Sequence, residues 1–244
     1  MSATTPSSRD EYEAWHARLA VDAEANAPWH RLIKKHLNPS RHLGGRAVLE
    51  IGCGRGGFAC WLAAQPLAPD RLVAADFAAT AVQMAREYAQ KHGLTAITWD
   101  VADIQSLPYE DAAFDTVISC ETVEHVPDPA RAVRELARVL KPSGQLLLTT
   151  PNYFGTMGLY RGYLRLRGRR YTEEGQPINN FNMLPRTRRW VRAAGLRVVA
   201  TDAIGHYLPF PGRPPMEYSF WDRFRFVTRW LALHSLVIGE KPRA

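Results

Sequence analysis

Val48-Leu49-Glu50-Ile51-Gly52-Cys53-Gly54-Arg55-Gly56-Gly57-Phe58 decides the fold of this chain. A β-branched and aliphatic run ends in an acid, breaks into glycines, and resumes as an amphipathic helical pattern up to Ala64. That order reads as strand, tight turn and helix start. Glycines in such a turn permit positive φ and let a ligand approach the main chain without meeting a Cβ. A G-x-G-x-G turn is a weak signal alone. Asp76 strengthens it by closing the next strand-like run, Arg71–Ala75. It lies about 20 residues beyond the turn, where nucleoside-binding α/β folds place a carboxylate for ribose hydroxyls.

Working outward, strand and helix patterns alternate. The periodicity predicts strands over Ala47–Ile51, Arg71–Ala75, Ala96–Asp100, Thr116–Cys120, Gln145–Thr149, Leu196–Thr201 and Ser235–Ile238. Helices are predicted over Gly57–Ala64, Ala79–His92, Pro129–Leu140 and Leu184–Ala194. Gly93, Lys141-Pro142-Ser143-Gly144 and Gly195 supply the stops. Such alternation implies a doubly wound, mostly parallel sheet of the Rossmann-like α/β class. Ligands of such sheets bind beyond the carboxyl ends of the strands.

Residues 1–10 read as a frayed tail and 11–45 as a helical cap, in which Tyr12, Trp15, Leu19, Trp29, Leu32 and Ile33 fall at helical spacing. Residues 46–244 form one domain, with embellishments on the substrate side over 153–183 and 208–232. The second embellishment contains an aromatic helical insertion before the last strand, with Tyr218, Phe220, Trp221, Phe224, Phe226 and Trp230.

With 244 residues the chain can bury one sizeable core. No apolar run approaches the ~20 residues of a membrane span. Three cysteines, Cys53, Cys60 and Cys120, lack zinc spacing and read as free thiols, which places the protein in the cytoplasm. A net charge of +7 is concentrated in the second half, at Arg161, Arg165, Arg167, Arg169 and Arg170 and again at Arg186, Arg188, Arg189 and Arg192. Mixed with Tyr153, Phe154, Met157, Tyr160, Tyr163 and Leu164, the first cluster suits an apolar acceptor pocket or an anionic membrane surface. Nucleic acid ranks lower as a partner.

Four blocks stand in order: Val48–Phe58; Asp76; Asp103-Ile104-Gln105-Ser106-Leu107-Pro108 with Phe114-Asp115; and Cys120-Glu121-Thr122-Val123-Glu124-His125-Val126-Pro127-Asp128-Pro129. On these blocks the chain resembles the class I S-adenosylmethionine-dependent methyltransferases, and within them the ubiquinone-biosynthesis type of small-molecule O-methyltransferase. The resemblance implies a seven-stranded sheet with an antiparallel last strand. It implies that Gly52, Gly54 and Gly56 hold the methionine part of the cofactor, with Glu50 near its amino group. Asp76 would grip the ribose, Asp103 and Ile104 would read the adenine, Phe77 would lie near the base, and the backbone of Cys120 would face the cofactor. A dinucleotide-dependent oxidoreductase shares the sheet but has no place for the Asp103 and Glu124-His125 blocks.

Methyl transfer to a hydroxyl needs a proton acceptor or a metal ion. His125 is the leading candidate base, oriented by Glu124, with His206 as an alternative. If a helical turn begins at Glu121, then Glu121, Glu124 and His125 fall at i, i+3 and i+4 and share a side. They could then ligate Mg²⁺, Mn²⁺ or Zn²⁺. The E-x-x-E-H spelling is similar to the metal site of small-RNA 2′-O-methyltransferases. Those enzymes add a histidine where this chain has Asn179, a weaker candidate fourth ligand.

Overall fold

The computed structural model describes residues 8–21, 24–169, 178, 180–208, 216–224 and 228–243. Its frame is a seven-stranded sheet in the order β3-β2-β1-β4-β5-β9-β6. The strands are β1 (Ala47–Ile51), β2 (Arg71–Asp76), β3 (Ile97–Val101), β4 (Phe114–Cys120), β5 (Leu140–Pro151), β6 (Arg197–Ile204) and β9 (His234–Glu240). β1 to β5 pair in parallel, while β9 runs antiparallel to both β5 and β6. A hairpin of two short strands, β7 (Tyr207–Leu208) and β8 (Met216–Glu217), stands apart from the sheet.

Alternation along β1 splits the core into two layers. Val48 joins Leu72, Ala74, Phe58 and Val82 on the face covered by α4 (Gly57–Ala63) and α5 (Ala79–Lys91). Leu49 and Ile51 join Val73, Val117, Leu136 and Val191 on the face covered by α6 (Pro129–Val139) and α8 (Leu184–Ala193). Both faces of β1 and β4 are buried, as expected of parallel strands between helices.

The cap comprises α1 (Ser8–His16), α2 (Pro28–His36) and the short α3 (Pro39–His42). Residues 8–10 therefore belong to a helix, not to a tail, because Asp10 and Glu11 supply the acidic first turn that a helix N-terminus favours. Leu32 and Ile33 of α2 sink into the first core layer. Asp202 of β6 fastens α2 through Lys35 Nζ at 2.5 Å and His36 Nε2 at 2.9 Å.

β5 starts earlier than the periodicity implies, at Leu140, and the stretch before Gln145 is irregular, with Ser143 turned to φ +64. α7 (Thr156–Leu166) follows it. The aromatic stretch before β9 is helical as a 3-10 turn, Ser219–Phe224. Phe220, Trp221 and Phe224 of that turn are exposed. Arg170, Asn179, residues 209–215 and Phe226 lie outside the described residues.

Candidate active site

A cavity of about 860 Å³ opens at the carboxyl ends of β1, β2 and β4. Its floor is the glycine turn. Gly52, Gly54 and Gly56 take φ of +78, +52 and +81. The three do different work. A side chain at Gly52 would collide with Thr122, which packs directly on the turn. Gly54 donates its N–H to Asp76 Oδ2 at 2.8 Å. Gly56 does not line the cavity. It is the N-cap of α4, and a Cβ there would come within 2.6 Å of Trp99 and Ala85. Gly57, the first residue of α4, takes its place in the wall and brings the electropositive end of that helix with it.

Glu50 is buried, and its Oε2 has no hydrogen-bond partner among the described residues. Burial, then the nearby Asp76 charge, pushes its carboxyl from an ordinary 4.5 to about 8. An unsatisfied buried carboxyl facing a cavity calls for a cation. The Asp76 carboxylate is positioned by two backbone donors, Gly54 on Oδ2 and Ala78 on Oδ1 at 3.0 Å. His16 Nε2 of α1 stands 4.0 Å from Oδ1, and burial lowers the pKa of that imidazole. Asp103 braces its own turn by accepting the Gln105 N–H at 2.8 Å through Oδ1. Asp103 and buried Ile104 both reach the cavity wall, as do Phe77 and Cys120. The Phe77 ring carries the Arg9 guanidinium at 4.5 Å. Burial pushes the Cys120 thiol well up, so its sulfur is no ready nucleophile.

The features that the resemblance calls for line one cavity: a buried acid, a side-chain-free turn at a helix start, a braced aspartate and an apolar wall. The cap roofs them with Tyr12, Trp15, His16, Trp29 and His30, none of which the strand-end reading located.

The E-x-x-E-H segment departs from its expected geometry. The 3-10 turn covers only Val123–His125, and Glu121 precedes it with φ +45. Glu121 is thus off the helical face that i, i+3, i+4 spacing requires. Glu121 Oε2 lies 3.3 Å from His234 Nδ1 instead. Glu124 is fully buried behind the cavity wall, with Oε1 3.6 Å from His125 Nε2. Among the described residues no three such side chains form a metal-binding group. The fourth ligand foreseen, Asn179, lies outside them.

His125 lines the cavity, but its Nδ1 sits 2.6 Å from the Ile178 carbonyl while Nε2 faces Glu124. Both nitrogens are directed at protein oxygens. His206 is not in the wall, since its Nε2 lies 3.1 Å from the Thr228 carbonyl. His234 is in the wall, with Nδ1 on Glu121 and no hydrogen bond to Nε2 among the described residues. Trp29 and Tyr207 flank its ring at 5.3 and 6.1 Å. Met157 of α7, Tyr207 and Leu233 complete an apolar end of the cavity.

The family model for a methyltransferase domain matches residues 49–148, which carry the glycine turn, Asp76, Asp103 and the whole E-x-x-E-H segment. Over these residues the chain is similar to methyltransferase domains. Among curated relatives, Methyltransferase GfsG of Streptomyces halstedii is 33% identical over 60% of this chain and 52% of its own length. The ubiquinone biosynthesis O-methyltransferase of Coxiella burnetii is 28% identical over 72% of this chain and 73% of its own. The chain thus spans about half the length of the first of these. Solved structures share the fold. A Haloferax volcanii protein in complex with the Trm112 methyltransferase activator has a TM-score of 0.66 at 24% identity, covering 98% of this chain and 99% of its own. A methyltransferase of Mesorhizobium loti scores 0.62 at 17% identity, covering 88% and 99%. The cyclase SpnF scores 0.65 at 19% identity, covering 99% and 98%. The methyltransferase fold therefore leaves the acceptor chemistry to the site.

Proposed function

We propose that this methyltransferase moves the methyl group of S-adenosylmethionine to a hydroxyl oxygen of a medium-sized, partly apolar small molecule. One observation carries the reading. A histidine with a carboxylate partner, His234 on Glu121, stands at the apolar end of the cofactor cavity. S-adenosylmethionine supplies a methyl already activated by the sulfonium charge. What the chain must add is alignment and removal of the hydroxyl proton. Glu121 fixes the His234 ring with Nδ1–H donated to Oε2 and leaves Nε2 to take that proton. Trp29, Met157, Tyr207 and Leu233 exclude water and hold an apolar ring. In the balance of the step, an O–CH₃ bond forms, the S–CH₃ bond breaks to give S-adenosylhomocysteine, and the proton rests on His234. Glu50 meets the ammonium of the cofactor, Asp76 its ribose diol, and Asp103 with Ile104 its adenine. Relatives named as O-methyltransferases support oxygen as the attacking atom. His125, with Glu124 behind it, is assigned a positioning role: it ties the β4 turn to the segment at Ile178.

Incubation with S-adenosylmethionine and a panel of phenols, quinols and matched amines tests the proposal. S-adenosylhomocysteine should appear with hydroxyl acceptors and not with amines, and His234→Ala should slow its formation by about 10²–10⁴-fold. Methylation at nitrogen or carbon alone would overturn the oxygen reading. A divalent ion is the second reading for proton removal. It would need Glu121 and Glu124 to turn towards one point, so full activity is expected after exhaustive chelation.

A further inference from the structure

We infer that the outer face of α7 is a docking surface for an anionic lipid bilayer. The helix has two unlike sides. Met157 and Leu164 are buried, and Met157 lines the cavity. On the other side Leu159, Tyr163 and Leu166 recur at i, i+4 and i+7, and they are 77, 41 and 89% exposed. Leucines that open to water, aligned on one face, are not scattered surface residues. Each forgoes most of the stabilisation that burial of its side chain supplies.

Charge identifies the occupant. From Asn152 to Arg169 the sequence holds Arg161, Arg165, Arg167 and Arg169 and no acid. Arg165, Arg167 and Arg169 are exposed, and Arg167 lies 5.5 Å over the Tyr163 ring. The apolar stripe and its basic flanks make an interfacial helix: leucines enter the acyl boundary while guanidinium heads stay with lipid phosphates. Eleven residues span about 16 Å, enough to lie in the interface and too little to cross it. A second copy of the chain fits poorly, because a twofold contact would set each arginine row against its own like. The surface continues beyond α7. Thr156 bonds to the Tyr207 carbonyl of the β7–β8 hairpin, where Leu208 and Met216 are exposed. The next segment presents Phe220, Trp221 and Phe224 with Arg223. Glu217, in that hairpin, is held 3.7 Å from Arg31.

Co-sedimentation of the full chain with vesicles tests the inference. The protein should pellet with phosphatidylcholine vesicles containing phosphatidylglycerol, be released by high salt, and stay in solution with phosphatidylcholine alone. The double variant Leu159→Glu, Leu166→Glu should bind at least about tenfold more weakly, and so should Arg165→Gln, Arg167→Gln, Arg169→Gln. Both should keep the far-ultraviolet circular dichroism and the S-adenosylhomocysteine affinity of the parent, since none of these side chains lines the cavity. Failure of the parent to pellet, undiminished binding by either variant, or equal binding to neutral vesicles would overturn it. So would a concentration-dependent dimer that Leu166→Glu dissolves. No acceptor or turnover enters the measurement, so its failure leaves the oxygen-methylation reading standing.

Discussion

Glu50, Asp76 and His234 carry different parts of the site, and each makes a separable prediction. The Glu50 carboxyl is raised to about 8 in the folded, ligand-free protein and returns to an ordinary 4.5 on unfolding. Between those values the unfolded chain releases a proton that the folded one retains. Stability should therefore fall as pH rises from about 5 to about 8 and level off above, and Glu50→Gln should flatten that slope. Thermal melts across this range without cofactor check it; an unchanged slope in the variant would place the titration elsewhere. Asp76→Ala removes the charged acceptor proposed for the two ribose hydroxyls, worth about 1.5–3 kcal/mol per bond. It should weaken S-adenosylhomocysteine binding more than tenfold by calorimetry. His234→Ala should lower turnover by about 10²–10⁴-fold with cofactor affinity kept. The places of Asp76 and Asp103 in the cavity wall were legible in sequence, because acids just past strand ends follow a local pattern. His234 was not. It sits one residue before the predicted start of the last strand, and its value depends on pairing with Pro151 and Ile204 across the sheet. An antiparallel strand brings its first residue, not its last, to the functional rim. Glu121 misled for a related reason: one residue at φ +45 takes it off the helical face its spacing implied.

At the level of elements, α1 holds the cavity roof by its own side chains. Glu13 accepts the N–H groups of Ala79 and Thr80, each at 2.7 Å, and so caps the start of α5 from another element. Ala78, the N-cap residue itself, has no side-chain oxygen to do this. Burial raises the Glu13 carboxyl, but the Thr80 and Ala79 hydrogen bonds outweigh it and leave the group lowered. Tyr12 reaches further in, with its hydroxyl 3.5 Å from the carbonyls of His125 and Ile178. Glu13→Ala should cost about 1 kcal/mol at the α5 terminus. It should also loosen α1, so that amide exchange over residues 8–16 and dissociation of S-adenosylhomocysteine both quicken several-fold. Unchanged exchange there would show that Tyr12 and Arg9 suffice to hold the helix. The sequence located most strands and helices to within a residue or two, since β1, α4, α5, α6 and α8 have strong periods and clear stops. It did not reveal that the cap folds over the strand ends. That depends on cross-chain bonds such as Glu13 to Thr80, which no period records.

For the whole molecule, the cap and the far edge of the sheet act as a clamp on the core. Asp202 lies on the outermost strand, β6, yet its carboxylate bonds to Lys35 and His36 of α2, more than 160 positions earlier in the chain. Arg41 reinforces the join by meeting Glu240 of β9 at 2.6 Å, and His42 Nε2 meets Gln145 Oε1 of β5 at 2.8 Å. Burial alone would raise the Asp202 carboxyl, but the His36 and Lys35 hydrogen bonds overcome it and hold the group far below its ordinary 3.8. A carboxylate lowered in this way stabilises the fold above its ordinary pKa, and the contribution is lost as pH falls towards the folded value. Asp202→Asn should therefore melt a few degrees below the parent at pH 7, given roughly 2–4 °C per kcal/mol for a chain of this size. The gap should narrow steadily below about pH 4, where the parent loses the same interaction. The cap carries Trp29 and His30 into the cavity roof, so the variant should also bind S-adenosylhomocysteine more weakly at neutral pH, although Asp202 does not line that cavity. A melting difference that persists unchanged to pH 2, or cofactor affinity equal to that of the parent, would show that the cap stays seated without this clamp.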